Sequence, residues 1–283
     1  MSKVNELLQG SIDMHCHHGP DTILERSVDA LQATQQAQEA GMKAIVLKSH
    51  VYPTAPLAYI INQIVPDFTA VGAICLDEDV GGLNTHALEA SAKLGAKVVW
   101  MPTSSSANDM KRKGLSEPGI AISDEKGVLL PVVGEILDIV KEYKMALATG
   151  HVSVAESFAL VDEARKKGID KIIITHPLLS YLGATLNLEE QKKMADKGAF
   201  IEHCFGITMP GSLVRFDPKL MADAVKAVGA ERCIMSTDLG QAFNPKPADG
   251  MRVGIAVMLR LGLTEKEVDL LVKVNPAKLL GLD

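Results

Sequence analysis

Short apolar runs alternate with longer amphipathic segments along most of the chain. Runs of roughly four to eight apolar and β-branched residues are typical of buried strands, and apolar residues spaced three and four apart predict helices. Gly and Pro separate many of these segments, as expected where strands and helices end. A first strand is predicted to begin at Ser11-Ile12, and further strands are predicted at 44–47, 69–76, 98–101, 145–149, 172–175, 199–204 and 233–237.

Helix boundaries can be predicted for several segments between these strands. Ser27 is expected to cap a helix that runs to residue 40 and ends at Gly41. Pro56 is expected to open the next helix, since its ring suits the first helical turn. The apolar residues expected on the buried face of that helix are Leu57, Ile60, Ile61 and Ile64.

The alternation is interrupted between residues 103 and 131. This segment contains a Ser-rich turn, a basic Lys-Arg-Lys and a predicted hairpin around 124–127, and it is too irregular for a barrel helix. An insertion of this kind after a strand often forms a lid or an oligomer contact, and a plain surface excursion is the alternative.

Strands that alternate with helices predict an α/β fold with a parallel sheet. Eight such strands favour closure into a (β/α)8 TIM barrel, with the insertion after strand 4 and extra C-terminal helices. The length of 283 residues is compatible with a single domain over 1–283. An open doubly wound sheet is the alternative, but the sequence lacks the Gly-x-Gly-x-x-Gly and Walker-type patterns of the usual nucleotide sites.

Composition narrows the class of protein. Hydrophobic residues make up 47% of the chain and charged residues 23%, which allows a large core. The net charge of −6 comes without a basic block, so nucleic acid is not an expected partner. No apolar run is long enough for a membrane span and no signal peptide is recognisable, which predicts a cytoplasmic protein without membrane association. The four cysteines are interpreted as reduced packing residues.

The stretch from Asp13 to Asp21, Asp-Met-His-Cys-His-His-Gly-Pro-Asp, concentrates residues that bind metals. Side chains alternate along a strand, so Asp13, His15 and His17 are expected on one face and Cys16 on the other. Two imidazoles on one face can bind one cation, and a nearby carboxylate can fix their orientation. Polar residues hydrogen-bonded at a strand end are the alternative.

More residues of metal-ligand type lie at the ends of later predicted strands. His151 follows the fifth strand, His176 follows the sixth, and Asp238 ends the eighth. In a barrel these strand ends open onto one face, where catalytic residues collect. With His15 and His17, the three residues are therefore expected to converge, although each of them alone would be an ordinary loop residue.

This set of residues resembles the pattern of the amidohydrolase superfamily of metal-dependent hydrolases. The shared features are the His-x-His pair, the histidines after strands five and six, the aspartate after strand eight and the closing Asn-Pro-Ala-x-x-Leu-Gly. The resemblance implies that His15, His17 and Asp238 hold the more buried metal. It implies that His151 and His176 hold a second metal or orient the substrate, and that Asp238 is the general base for metal-activated water. The ligand types favour zinc, with manganese, iron and nickel as alternatives.

The sequence departs from that superfamily at strand four. Many members with two metals carry a bridging lysine carbamate or glutamate there, whereas this chain has Val-Val-Trp-Met-Pro-Thr. One metal or two metals per chain are therefore both open. Lys48, at the end of strand two, shares the parity of Val46 and His50, and it would be a carbamate ligand or bind a substrate carboxylate. A lysine that extends to the surface is the alternative, and His50 is a further substrate-binding candidate.

Substrate-binding residues are expected near the same strand ends. Glu202 and His203 lie on opposite faces of strand seven, so at most one of them is expected in the site, and His203 is preferred. Ordinary loop residues are the alternative for the other candidates. The loop residues that could bind substrate are His18, Asp21, Arg26, Tyr52 and Arg215.

The predicted function is a metal-dependent hydrolase that uses metal-activated water on a small polar substrate, with an amide or cyclic amide C–N bond preferred. The same water can attack a lactone or a phosphoester. A mononuclear metal lyase or decarboxylase and a barrel that only binds a ligand are the alternatives. A small molecule is the expected partner, and a homo-oligomer is an open expectation.

Overall fold

The computed structural model describes residues 2–211 and 216–282. The strands of this part are β1 Ile12–His17, β2 Ala44–Lys48, β3 Thr69–Val71, β4 Ala73–Cys75, β5 Val98–Trp100, β6 Ala146–Ala148, β7 Ile172–Ile174, β8 Phe200–Cys204 and β9 Cys233–Ser236. Its helices are α1 Lys3–Leu8, α2 Ala30–Glu39, α3 Ala55–Ile64, α4 Thr85–Lys93, α5 Ala107–Arg112, α6 Pro131–Glu142, α7 Val154–Lys166, α8 Leu188–Asp196, α9 Pro218–Val228, α10 Pro247–Arg260, α11 Glu265–Asp269 and α12 Asn275–Leu280. None of these helices combines the length and the apolar composition that a membrane crossing requires.

The strands form two parallel sheets, and backbone hydrogen bonds of the segment after β9 join them into a barrel. β1, β2 and β3 pair in that order, and β4 to β9 pair in chain order. β3 and β4 are two halves of one strand position, interrupted at Gly72. The segment after β9 returns to β1, because Asp238 N donates to His15 O and His17 N donates to Leu239 O, both at 2.8 Å. The described residues therefore confirm the predicted (β/α)8 architecture.

The break between β3 and β4 has a steric cause. A Cβ atom at Gly72 would lie 2.5 Å from Ala55 Cα at the start of α3. Thr54, just before that helix, donates through Oγ1 to Leu47 O at 2.7 Å and accepts from Ala73 N at 2.8 Å. Glycine at position 72 thus lets the first turn of α3 pack directly on the strand.

Alternate strand residues fill two layers of the core. Val46 on β2, Trp100 on β5 and Phe200 on β8 belong to the cluster inside the barrel. Their neighbours along the strands, such as Ile45 and Ile201, pack outward against the helices. The barrel interior is therefore a packed core, and its mouth is the place where polar side chains can collect.

Strict alternation does not hold along β1. Its register with β2 shifts between Asp13 and Cys16, so that β1 contains one residue more than its partner. Met14 packs inside the barrel, whereas Cys16 packs in the outer layer. This β-bulge corrects the prediction that simple alternation places Asp13 on one face with His15 and His17.

The start of α2 differs from the prediction. The helix begins at Ala30 because Asp29 caps it, its side chain accepting a hydrogen bond from Gln32 N. Ser27 lies before the helix, and its N–H donates to Gly240 O at 2.8 Å. The segment before α2 is thus free to pair with the loop after β9.

α3 buries only part of the predicted face, because Leu57 and Ile61 pack on the core as expected but Ile60 and Ile64 do not. Ala58 and Ile61 are buried, whereas Ile60 and Ile64 are 55% and 54% exposed. The contact between Ala55 and the strand at position 72 sets which side of the helix faces the barrel. Apolar residues lie on nearly all sides of α3, so the sequence alone does not indicate which face packs on the barrel.

The predicted insertion at 103–131 contains α5 and an antiparallel hairpin. Ser123 pairs with Leu129 across the hairpin, as the turn sequence predicts. Glu156 on α7 accepts from Ile122 N at 2.9 Å and ties this segment to the barrel. The side chain of Asp109 on α5 is fully buried. The insertion is therefore packed into the molecule, and it contains a helix, α5, that the interpretation of this segment as irregular missed.

Candidate metal centre

Two histidines and an aspartate meet at the barrel mouth, where β1 and β9 end. His15 Nε2 and His17 Nε2 each lie 3.1 Å from Asp238 Oδ1. One ligand atom from each of the three residues lies within 4.8 Å of the other two. Asp238 follows β9 with a positive φ of 54°, a conformation that aspartate adopts more readily than most residues. The first strand and the segment after the last strand thus supply the ligand atoms of one group.

Buried carboxylates hold this group from behind. Glu202 on β8 is 1% exposed, lies 3.4 Å from His15 Nδ1 and accepts from Ser236 Oγ at 2.8 Å. Asp13 accepts from His15 N at 3.1 Å and from Thr237 N at 2.9 Å. A carboxylate beside Nδ1 favours the tautomer in which Nε2 offers a lone pair to a metal.

A second pair of histidines lies after β6 and β7. His151 Nε2 and His176 Nε2 are 2.9 Å apart. Asp109, from the insertion, lies 2.5 Å from His151 Nδ1 and accepts from Gly183 N at 2.7 Å. The ring centroids of His176 and His15 are 6.2 Å apart, so the second pair is a close neighbour of the first group.

The spacing of these nitrogen and oxygen atoms fits metal coordination. Two ligand atoms bound about 2.1 Å from a tetrahedral zinc ion lie about 3.4 Å from each other. The separations of 2.9 Å and 3.1 Å between facing donors are close to that value. The residues present therefore fit one divalent ion at His15, His17 and Asp238, and they offer His151 and His176 to a second ion or to a substrate.

Burial favours the neutral imidazoles that a metal requires. It lowers the pKa of His17 well below the usual histidine value. Burial, together with the neighbouring His151, has the same effect on the pKa of His176. Neutral rings at these two positions have a lone pair available for coordination.

The surroundings also keep Asp238 ionised. Burial alone would raise the pKa of this carboxyl group, but His15 and His17 beside it hold that pKa well below its ordinary value. Burial and Lys48 act to lower the pKa of His15, yet Asp238 and Glu202 outweigh them and raise it to about 8. A cation is therefore favoured next to these carboxylates, either a proton on His15 or a metal ion.

Lys48 reaches the same group from the end of β2. It is 1% exposed, and its Nζ lies 3.0 Å from His15 Nε2. The same ammonium group lies 5.1 Å from the ring centre of Trp100, on the strand that lacks the expected bridging ligand. Lys48 is thus inside the barrel mouth and does not extend to the surface.

His50 lies next to the metal centre but is held by a different carboxylate. Its Nδ1 lies 3.0 Å from Asp77 Oδ2 and 2.7 Å from Thr103 Oγ1. The ring stacks on that of His17 with centroids 5.1 Å apart. Burial lowers the pKa of His50 to about 4, although Asp77 acts in the opposite direction. With Nδ1 engaged, Nε2 is the ring nitrogen left to contact a substrate.

A cavity of about 390 Å³ opens at the barrel mouth, a size common among small-molecule sites. Most of the predicted site residues contribute to its walls, while His15 lies fully buried beneath. The predicted residues that line the cavity are His17, Arg26, Lys48, His50, His151, His176 and Asp238.

Four of the predicted substrate-binding residues that the structure describes do not line this cavity, namely His18, Asp21, Tyr52 and His203. Glu202 is the residue of β8 that reaches the site, so alternation turns His203 outward, and the preference for His203 is corrected. Tyr52 Oη donates to Pro20 O at 3.1 Å, and this bond braces the loop after β1. Arg215 lies outside the described residues.

Asp109 is the main component that the sequence did not reveal. It is 42 positions away from His151, in a segment interpreted as irregular. One local signal exists, because Ser106 and Asp109 have the spacing of a helix start, and Ser106 Oγ does accept from Asp109 N at 3.2 Å. That signal predicts α5, but no local pattern predicts that the carboxylate meets His151.

Solved structures with the same architecture place the fold in a known class. An amidohydrolase from Pseudomonas aeruginosa aligns over 99% of this chain and 98% of its own, with a TM-score of 0.69 and 14% identity. The probable dipeptidase PvdM from Pseudomonas aeruginosa aligns over 98% and 96%, with a TM-score of 0.71 and 13% identity. A 2,6-dihydroxybenzoate decarboxylase from Rhizobium aligns over 97% and 99%, with a TM-score of 0.58 and 14% identity. These alignments confirm the predicted barrel fold.

Sequence comparison identifies a narrower family. The model of a family of unknown function, DUF6282, matches residues 10–202. This match spans more than half of the chain, and the chain belongs to that family. A search of curated proteins finds no match.

Proposed function

We propose that this protein is a metal-dependent hydrolase that cleaves an amide or cyclic amide C–N bond in a small substrate. One observation carries the proposal: a cavity at the barrel mouth is surrounded by converging donors, two of which have buried carboxylates behind them. These donors are His15, His17, His151, His176 and Asp238. A protein that only binds a ligand has no need of an ionised aspartate between two such imidazoles.

The residues have different parts in the proposed reaction. His15, His17 and Asp238 would hold one divalent ion, and zinc is favoured by imidazole and carboxylate donors. When bound, such an ion would supply the Lewis acidity that activates water and polarises a substrate carbonyl. Asp238 accepts a proton from the attacking water and delivers it to the departing nitrogen. His151 and His176 hold a second ion or orient the substrate.

The structural neighbours support an amide substrate and suggest one competing reaction. Proteins described as an amidohydrolase and a probable dipeptidase have this fold. A decarboxylase also has it, and Trp100 stands where a ligand for a second metal would be expected. A decarboxylase with one metal is therefore the second candidate, and a lactone or phosphoester remains a secondary substrate class for the hydrolase.

Metal content and hydrolysis together test the proposal. We expect one or two equivalents of divalent metal per chain in protein purified without chelators, measured by elemental analysis. His15→Ala should lose at least one equivalent, whereas the variant His86→Ala on exposed α4 should retain the full content. The wild-type protein should release amine from a panel of small amides. Metal-free wild-type protein, or loaded protein that cleaves no amide, would contradict the proposal.

Lys48 decides between one metal and two. An ammonium group 3.0 Å from His15 Nε2 would repel a bound cation. A neutral amine at this position can add carbon dioxide, losing a proton to form a carbamate whose oxygens bind metals. We expect two equivalents of metal and a carbon dioxide adduct in native mass spectrometry, with a single equivalent in Lys48→Ala. One equivalent in both proteins would support a mononuclear centre and the decarboxylase candidate.

A further inference from the structure

One wall of the cavity is built by two paired loops rather than by strand ends. Residues 25–27, after β1, run antiparallel to residues 240–242, after β9. Ser27 N donates to Gly240 O at 2.8 Å, and Ala242 N donates to Glu25 O at 3.0 Å. This pairing brings three polar residues to the cavity, namely Arg26, Gln241 and Asn244.

Arg26 is fixed along one edge of its guanidinium group. Its Nε and Nη2 donate to Asp21 Oδ2 at 2.9 Å and 2.7 Å. Asp21 is itself fixed, because Oδ1 accepts from Ile23 N at 2.7 Å and from Leu24 N at 3.1 Å. A guanidinium carries five N–H donors, so the edge formed by Nη1 and the second Nη2 hydrogen has no bonded partner among the described residues. That planar edge matches the two oxygens of a carboxylate.

Asn244 offers an acceptor whose orientation is fixed by a chain of amides. Gln241 Nε2 donates to the backbone O of Asp238 at 2.8 Å, so Gln241 must present Oε1 to its other neighbour. Asn244 Nδ2 donates to that Oε1 at 2.9 Å. Asn244 Oδ1 is then the free end of the chain, and it is buried without a hydrogen-bond partner in the described part of the molecule. A buried acceptor of this kind is costly unless a ligand donates to it.

The charges of the cavity favour an anion. Among its described lining residues, Arg26 is a permanent cation, and Asp238 is the one carboxylate. Asp238 is already engaged by His15 and His17, and a metal ion would add further positive charge. A cavity whose lining carries a net positive charge attracts anionic ligands.

The outer part of the same cavity is apolar. Leu179, Leu182 and Ile207 line it, and Ile23 and Phe243 stand at its rim with exposures of 56% and 61%. Apolar side chains this exposed are expected to gain from contact with a hydrophobic group of a ligand. The cavity therefore combines an anion site, an acceptor for one N–H or O–H group, and an apolar surface.

We propose that the substrate is an N-acylated amino acid with an apolar side chain, whose carboxylate binds Arg26 and whose amide N–H donates to Asn244 Oδ1. In such a molecule one carbon separates the carboxylate from the amide nitrogen, and in the protein Gln241 pairs with Arg26 through the backbone and accepts from Asn244 through its side chain. The inference rests on the proposed hydrolase function, and it names the substrate class of that site. Hydrolysis would break the amide C–N bond, adding hydroxyl to the acyl carbon and hydrogen to the amino nitrogen.

Matched probes test the carboxylate contact. N-acetyl-leucine and N-acetyl-phenylalanine are compared with their neutral carboxamides on the metal-loaded protein, by calorimetry where a probe is not cleaved and by KM where it is. We expect the acids to bind about 10- to 100-fold more tightly than the carboxamides, because a charge-assisted bond is lost in the latter. Arg26→Met should reduce this preference to within about 2-fold. Arg260→Met, at the exposed end of α10, should retain the preference.

The outcomes separate this inference from the proposed function. Arg26-dependent binding of the acids without cleavage would support the substrate site and contradict the hydrolase proposal. Equal cleavage of acids and carboxamides, unchanged in Arg26→Met, would support the hydrolase and overturn the inference. Wild-type protein that binds neither the acids nor the carboxamides would also overturn it.

A second probe tests the contact of Asn244. N-methylation of the acetylated amino acid removes the amide hydrogen, so the wild-type protein should bind the methylated probe at least about 5-fold more weakly. Asn244→Ala should bind both probes with similar affinity, since the acceptor that distinguishes them is gone. A preference that persists in Asn244→Ala would show that Asn244 does not contact this hydrogen.

Discussion

Buried histidines occur in two different environments in this barrel, and β8 separates them. At the mouth, His15 has Glu202 behind it, and His151 has Asp109. On the outer face of β8, His203 is equally buried, but neither of its ring nitrogens has a hydrogen-bond partner among the described residues. The first environment fixes a tautomer and an orientation, whereas the second only excludes water.

This difference shows which of the buried histidines are placed for chemistry. Burying carboxylates next to histidines costs desolvation energy, and apolar residues could fill the same space. Glu202 and Asp109 lie beside the Nδ1 atoms of His15 and His151, which leaves each Nε2 atom available, and this is the arrangement expected for metal ligands. His203 shows that burial and a lowered pKa by themselves do not identify a functional histidine, since burial alone lowers its pKa to about 4.

Among substitutions at the barrel mouth, replacing Asp238 should have the largest effect on turnover. Asp238→Asn preserves size and one oxygen ligand but removes the group that accepts the proton of the attacking water. We expect turnover of a cleaved amide to fall by roughly two to four decades, measured at saturating substrate together with metal content. A fall of less than tenfold in metal-loaded variant would assign the proton transfer to another residue.

The supporting carboxylates should have the next largest effect. Glu202→Gln and Asp109→Asn keep the shape of each side chain and remove its charge, so the facing imidazole is less firmly oriented. We expect each variant to lose about 10- to 100-fold in metal affinity or turnover. Titration with a competing chelator measures the affinity.

A matched variant provides the control for that pair. Asp138 lies on α6 with a 65% exposed side chain and binds Lys167 at the surface. Asp138→Asn should leave metal affinity unchanged. If Glu202→Gln and Asp109→Asn behave like this control, the carboxylates do not support the metal centre and the contrast with His203 loses its functional meaning.

The parts of the fold that depend on local pattern could be predicted from the sequence. Apolar runs located the strands, and Gly and Pro located many of their ends. Because parallel strand ends meet at one barrel face, the convergence of His151, His176 and Asp238 with the β1 histidines follows from topology once the strands are known. Lys48 could also be placed, since β2 alternates without interruption up to that residue.

The features that were missed depend on contacts between distant segments. The bulge in β1 appears only in the register with β2, so Asp13 was assigned to the wrong face. Both faces of β8 are buried, and nothing local distinguishes the inward Glu202 from the outward His203. Asp109 gains its meaning only when α5 packs against the end of β6.

Replacing His203 gives the smallest predicted effect, and it tests the histidine environment on the outer face of β8. His203 has a pKa of about 4 in the folded protein, below the usual value of 6.5, because burial disfavours its charged form. Between these values the unfolded chain binds a proton that the folded protein does not, so stability falls as the pH falls through this range. His203→Leu removes this contribution. From pH 7 to pH 5.5, the free energy of unfolding of the wild-type protein should therefore decrease by about 1 kcal/mol more than that of His203→Leu.

Urea unfolding at both pH values measures this difference, and His86→Gln on the exposed face of α4 is the control that should follow the wild-type protein. Turnover and metal content should be the same in His203→Leu as in the wild-type protein, because His203 does not line the cavity and its ring nitrogens have no hydrogen-bond partner among the described residues. An equal pH dependence in His203→Leu and the wild-type protein would mean that another group stabilises the protonated form of His203 in the folded protein. A loss of turnover would mean that the outer face of β8 takes part in the site after all.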